Sequence, residues 1–171
     1  MQWDDGSWRP VRWYREGMTD AALPSMEEWE KRVDPARVGD PLWSVQAYRI
    51  SVYAIECHTF DRKASAALRA APSLGQLTQA LGSISANIAE GYSRGTVLDR
   101  SRFYGYALGS TREAIAWYDT LRIELDAASH ERQAILIQIR RLLLTMLRRI
   151  RPDGPERSMR DVPPDQLGNA D

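Results

Sequence analysis

The stretch Ser83-Ile84-Ser85-Ala86-Asn87-Ile88-Ala89-Glu90-Gly91-Tyr92-Ser93-Arg94-Gly95-Thr96 decides how the chain is read. At about 100° per residue, Leu77, Leu81, Ile84, Ile88 and Gly91 fall on one narrow apolar line, bordered by Ala80, Ser83 and Asn87. So thin a stripe with so many small side chains suits a helix that lies close to its neighbours. Asn87 and Glu90 are polar exceptions beside it, and polar groups next to a core need partners or water. The spacing predicts a helix over residues 74–91, with Gly91 and Gly95 bracketing its end.

Downstream, a second helix is predicted from residue 98 or 99 to 125. Its core line is Phe103, Ala107, Ser110, Ala114, Trp117, Leu121 and Leu125. Gly105, Gly109 and Ala116 make a neighbouring small-residue stripe that admits a close helix. Ser110 and Glu113 stand one turn apart. With Asn87 and Glu90 they are expected to form a buried polar network between the two helices, anchored by Arg94 or Arg112. An enzyme would use Glu90 and Glu113 as an acid and base pair or as metal ligands. Bundle metal sites, however, repeat Glu-x-x-His across helices, and this sequence has no such repeat. The structural network is therefore preferred, with no catalytic residues, no metal and no cofactor.

Two outer helices complete the pattern. The first spans residues 42–65, with Asp40 as N-cap and Pro41 in the first turn. Trp43, Ala47, Ile50, Ala54 and Cys57 form one apolar line, and Val45, Tyr48, Val52 and Ile55 form another opposite. A second apolar face calls for cover by another chain or by the amino-terminal arm. His58, with no ligand-spaced partner, reads as a border residue. The last helix is predicted from a Ser129 cap to residue 151, ahead of Pro152. Ile135, Leu136, Ile139, Leu142, Leu143, Met146, Leu147 and Ile150 span an arc of about 140°. Arg140, Arg141, Arg148, Arg149 and Arg151 occupy the other side, with Ile137 and Leu144 among them. That face suits RNA phosphates, a partner's acidic surface or a neighbouring subunit. Part of the excess also complements the helix C-terminal dipole.

The pattern S-I-x-x-N-I-A-E-G-Y-x-R-G from Ser83, followed by F-Y-x-x-A-x-G-S-x-x-E from Phe103, resembles a known family. It is that of the four-helix-bundle proteins first noticed inside intervening sequences of bacterial 23S ribosomal RNA genes. Its relatives include the accessory variability determinants of diversity-generating retroelements. The resemblance runs over residues 42–151 and is specific over residues 83–113. It implies an all-helical protomer, a ring-shaped homo-oligomer such as a pentamer, RNA or RNA/DNA binding, a reverse transcriptase as a partner, and no catalysis. Family members carry Pro where this chain has Ser85, and a basic pair where it has Thr78 and Gln79.

With 171 residues, 43% of them hydrophobic, the chain has enough material for one core. No run of about 18 apolar residues and no leader-like amino terminus is present, so the expectation is a cytoplasmic protein that makes no membrane contact. Cys57 is the single cysteine and reads as core packing rather than a nucleophile. Net charge is zero but unevenly spread. Residues 1–40 hold 6 basic and 9 acidic side chains, residues 41–151 hold 15 and 9, and residues 152–171 hold 2 and 5. A basic bundle thus lies between acidic flanks. Only Lys31 and Lys63 among the 23 basic residues are lysine. Arginine is the better phosphate ligand, though a GC-rich genome gives the same bias.

Residues 1–40 read as an arm. Trp3, Trp8 and Trp13 recur every five residues, matching neither helix nor strand, and a partner-binding role is assigned to them. Protein docking is favoured over base stacking, because the arm is acidic. Ser25 and Glu28 form a capping box that opens a short helix over residues 26–33. Residues 152–171 read as a disordered acidic tail.

The fold expected is thus all-α, an antiparallel up-and-down four-helix bundle over residues 41–151. The function expected is a non-enzymatic, homo-oligomeric RNA-binding accessory protein that assists a retroelement reverse transcriptase. Its site residues are Arg94, Arg140, Arg141, Arg148, Arg149 and Arg151. The alternative is a structural adaptor making protein contacts only.

Overall fold

A computed structural model describes residues 23–125 and 127–150. Trp3, Trp8, Trp13, Arg151 and the tail over residues 152–171 lie outside the described residues. Among the described residues there are eight α-helices, one 3-10 turn and no strand. The helices are α1 (Met26–Glu30), α2 (Pro35–Val38), α3 (Gln46–Ala64), α4 (Ala66–Ala70), α5 (Leu74–Ser93), α6 (Val97–Thr120), α7 (Arg122–Leu125) and α8 (Ala127–Ile150). The 3-10 turn, Pro41–Ser44, precedes α3.

Four long helices make the bundle. α3 packs on α5, α5 on α6, α6 on α8, and α8 closes the circuit on α3. Sequential helices are thus spatial neighbours, and the short connection through Arg94, Gly95 and Thr96 forces α6 to run back along α5. The fold is the expected all-α bundle. Its core follows the predicted lines of α3 and α5. Ala47, Ile50, Ala54 and Cys57 are buried, as are Leu77, Leu81, Ile84, Ile88 and Gly91. Leu136, Ile139 and Leu143 supply the centre from α8.

Several boundaries differ from the expectation, each for a local reason. Asp40 caps the 3-10 turn instead of a long helix, accepting from the Leu42 amide at 2.8 Å, and extended Val45 separates that turn from α3. Ser65 is not an end but a fresh N-cap, its Oγ accepting from the Leu68 amide to open α4. Thr96 does the same for α6 through Asp99. The third long helix breaks at Leu121, leaving α7 as a separate turn. Ser129 lies inside α8, not at its start; it is buried and donates its hydroxyl to the Tyr118 carbonyl at 3.2 Å.

The buried face of α6 is also rotated from the predicted line. Tyr104, Ala107, Leu108, Thr111, Ala114 and Tyr118 are buried, whereas Phe103, Ser110 and Trp117 are only half-buried. α6 touches both α5 and α8, so its core arc is wider than one neighbour requires, and the long Tyr104 and Tyr118 rings fill it. Thr111 is tolerated there because its hydroxyl donates to the Ala107 carbonyl of its own helix at 2.7 Å. Gly105, Gly109 and Ala116 face outward instead of admitting a helix of the same chain.

Residues 23–44 fold back on α3. Ser25 and Glu28 form the predicted capping box, although α1 ends at Glu30. Trp29 is buried against Trp43 and Tyr53, ring centroids 6.0 and 5.4 Å apart, and Tyr53 donates its hydroxyl to the Pro24 carbonyl at 2.8 Å. Cys57 is buried in the same cluster. This part of the arm thus covers one side of α3 in cis.

Candidate nucleic-acid interface

α8 is amphipathic over 24 residues, and its apolar arc fixes which way the rest must point. With Leu136, Ile139 and Leu143 fully buried, Arg141, Arg148 and Arg149 are exposed and Arg140 is half-buried. Leu144 sits among them, 38% exposed. Arg148 donates to Thr145 Oγ1 of its own helix at 3.4 Å. Among the described residues no carboxylate pairs with Arg140, Arg141, Arg148 or Arg149.

Some other arginines are occupied. Arg49 pairs with Glu30 at 3.4 Å, Arg69 caps the carbonyls of Arg62 and Lys63, and Arg132 is locked to Asp61. Arg94, assigned to the same surface, pairs with Glu90 one turn before it and lies over the Phe103 ring at 4.9 Å. It is half-exposed and held at the α5–α6 turn.

The four polar residues expected to form one buried network do not join. Among the described residues no hydrogen bond links Asn87, Glu90, Ser110 and Glu113. Asn87 donates to the Ser83 carbonyl at 2.8 Å, Glu90 takes Arg94, and Glu113 accepts from Trp117 Nε1 at 3.3 Å. The reason is orientation: Ile84, Ile88 and Gly91 take the inward face of α5, which turns Asn87 and Glu90 outward. Half of the signature is therefore core and half is surface.

The buried polar cluster lies elsewhere and was missed by sequence reasoning. Asp61 and Arg132 are 6% exposed each and bonded bidentately. His58, read as a border residue, is 3% exposed, with Nε2 2.8 Å from Thr78 Oγ1. Thr78 spends its own proton on the Leu74 carbonyl, so Nε2 must be the donor and Nδ1 is left buried with no partner. Burial, helped by nearby Arg62, pulls the imidazole down to about 4. Thr78 thus has a structural role at a position where a basic residue is expected. Burial also pushes the Cys57 thiol up to about 11, which suits a packing residue rather than a nucleophile.

Residues 50–149 match the family described as 23S rRNA-intervening sequence protein. The chain belongs to this family. The match begins inside α3 and ends in the last turn of α8, so it takes in α5 and α6 whole and the α8 arginines Arg140, Arg141, Arg148 and Arg149. Residues 23–44, which carry the Trp29 and Trp43 cluster, precede the family region. No curated protein sequence matches the chain. Among the described residues, no helix of this family member is long and apolar enough to cross a membrane.

Proposed function

We propose that this protein is a non-enzymatic, homo-oligomeric RNA-binding accessory protein of the cytoplasm. It holds structured RNA, alone or with a partner such as a reverse transcriptase, on the outward face of α8. One observation carries the reading: a single helix gathers four arginines, Arg140, Arg141, Arg148 and Arg149, none with a carboxylate partner among the described residues, whereas Arg49, Arg94 and Arg132 are paired. Unpaired guanidinium groups on an exposed face are what phosphate contacts require. Membership of an rRNA-related family supports it.

The outward stripe of Gly105, Gly109 and Ala116 on α6, beside half-exposed Tyr106, supports assembly with further copies. A closed ring, a pentamer by resemblance, repeats the arginine rows so that weak contacts add. A second reading, an adaptor making protein contacts only, is favoured by Leu98 and Ile123, which are 78% and 91% exposed.

The deciding experiment is the light-scattering mass of the protein with and without structured RNA, at low and high salt. A fixed oligomer that takes up RNA and releases it in salt supports the RNA reading, because phosphate contacts release counterions. Replacing Arg140, Arg141 and Arg148 together with Glu abolishes that uptake while the helical signal persists. Uptake that survives the triple change sinks the assignment of this face, and an oligomer indifferent to RNA moves the conclusion to the adaptor.

A further inference from the structure

At the end of the bundle where α5 meets α6, a groove of about 500 Å³ opens between Val45, Tyr92, Arg100, Tyr104, Met146, Arg149 and Ile150. Its composition is not that of a plain surface furrow. Val45, Met146 and Ile150 give an apolar wall, two tyrosines stand beside them, and two arginines complete the lining. Tyr104 is held in place, its ring packed so tightly on α5 that a Cβ at Gly91 would meet it at 2.7 Å. Tyr92 is 39% exposed, which leaves it free to receive a flat ring.

Arg100 is half committed. One Nη donates to the Arg94 carbonyl at 3.0 Å, which fixes the guanidinium, while its Nε is buried and has no partner among the described residues. A buried donor left unspent is costly and is stabilised by any acceptor that reaches it. Tyr104 lies close enough to both Arg100 and Tyr92 for its hydroxyl to feel each of them electrostatically. Arg149 belongs at once to this groove and to the arginine face of α8, so the two surfaces are continuous.

We propose that the groove is a binding site for one unpaired nucleotide of the RNA held on α8. The base lies against Tyr92 and the apolar wall, and the phosphate is taken by Arg100 and Arg149. The inference rests on the RNA reading above and adds a preference for single-stranded over fully paired segments. Aromatic platforms beside arginine are the usual means of holding an unstacked base, and they accept any base because each has a π-face.

The test compares binding of a blunt-ended RNA duplex with binding of the same duplex carrying an unpaired extension, by fluorescence anisotropy. The wild-type protein is expected to bind the extended duplex roughly tenfold more tightly. Arg100→Gln and Tyr92→Ala should each erase that gain and leave blunt-duplex affinity unchanged. Tyr92 is a surface residue, so its variant folds, as a thermal melt checks. No gain in the wild-type protein, or a gain that survives both variants, overturns the groove assignment. If the blunt duplex is bound in either case, the RNA reading stands without it; if neither RNA is bound, both fail together.

Discussion

Asp61 of α3 and Arg132 of α8, 71 positions apart in the chain, are joined by two hydrogen bonds of 2.9 Å in the bundle interior. The guanidinium also touches exposed Glu131 at 3.4 Å, but its charge is balanced inside by Asp61 alone among the described residues. Burial works against the Arg132 charge, and the bonds to Asp61 outweigh it. Such a pair contributes less to stability than its removal costs, because one partner left alone is an uncompensated buried ion.

Asp61→Ala is therefore expected to cost about 3–5 kcal/mol in denaturant unfolding. The double variant Asp61→Leu, Arg132→Leu should recover most of the loss. A single variant within about 0.5 kcal/mol of wild type would show that water or another group already neutralises Arg132.

His58 makes stability depend on pH. Its folded value of about 4 lies below the ordinary 6.5, so between those limits the unfolded chain binds a proton that the folded chain does not. Stability is thus complete above about 6.5 and falls as pH drops toward 4, by at most about 3 kcal/mol. Urea midpoints at pH 7 and pH 5 should differ for wild type and differ less for His58→Gln. Equal pH slopes in the two proteins would refute the assignment.

Two glycines of α5 should respond with opposite sign. A Cβ at Gly82 meets nothing within 4 Å, so Gly82→Ala is expected to stabilise by about 0.5–1 kcal/mol through helix propensity. At Gly91 the same Cβ would lie 2.7 Å from two ring carbons of Tyr104 and 3.2 Å from Phe103 Cβ. Tyr104 is only 4% exposed and has little room to yield, and overpacking of this kind costs about 1–3 kcal/mol. Gly91→Ala should lower the unfolding midpoint, and a stabilised variant would mean that the helices separate easily.

Cys57 reports on the docked segment. It lies beneath Trp29 and Trp43, fully buried, with its thiol pushed up by burial. Wild-type protein at pH 8 should react slowly with a thiol reagent, and Trp29→Ala should react at least several-fold faster. An unchanged rate would show that residues 23–44 do not guard this side of α3.

The local rules were enough to place the helices. Capping chemistry opened α1 at Ser25, the apolar line of α5 was correct residue by residue, and the α8 wheel separated core from arginines. These features repeat every turn and need no knowledge of a neighbour. The motif residues were harder to place. Asn87, Glu90 and Glu113 looked like a buried network because they border apolar lines, yet each bonds to its own helix.

What the sequence by itself determined was the all-α bundle, the core lines of α3, α5 and α8 and the outward arginines of α8, because helical phase is a property of a single segment. Only the tertiary structure decided that Asp61 meets Arg132, that Thr78 holds His58, that α6 turns Tyr104 and Tyr118 inward, and that Arg100 and Arg149 share a groove. Those outcomes depend on how helices far apart in the chain rotate against one another, and no pattern within either helix fixes that angle.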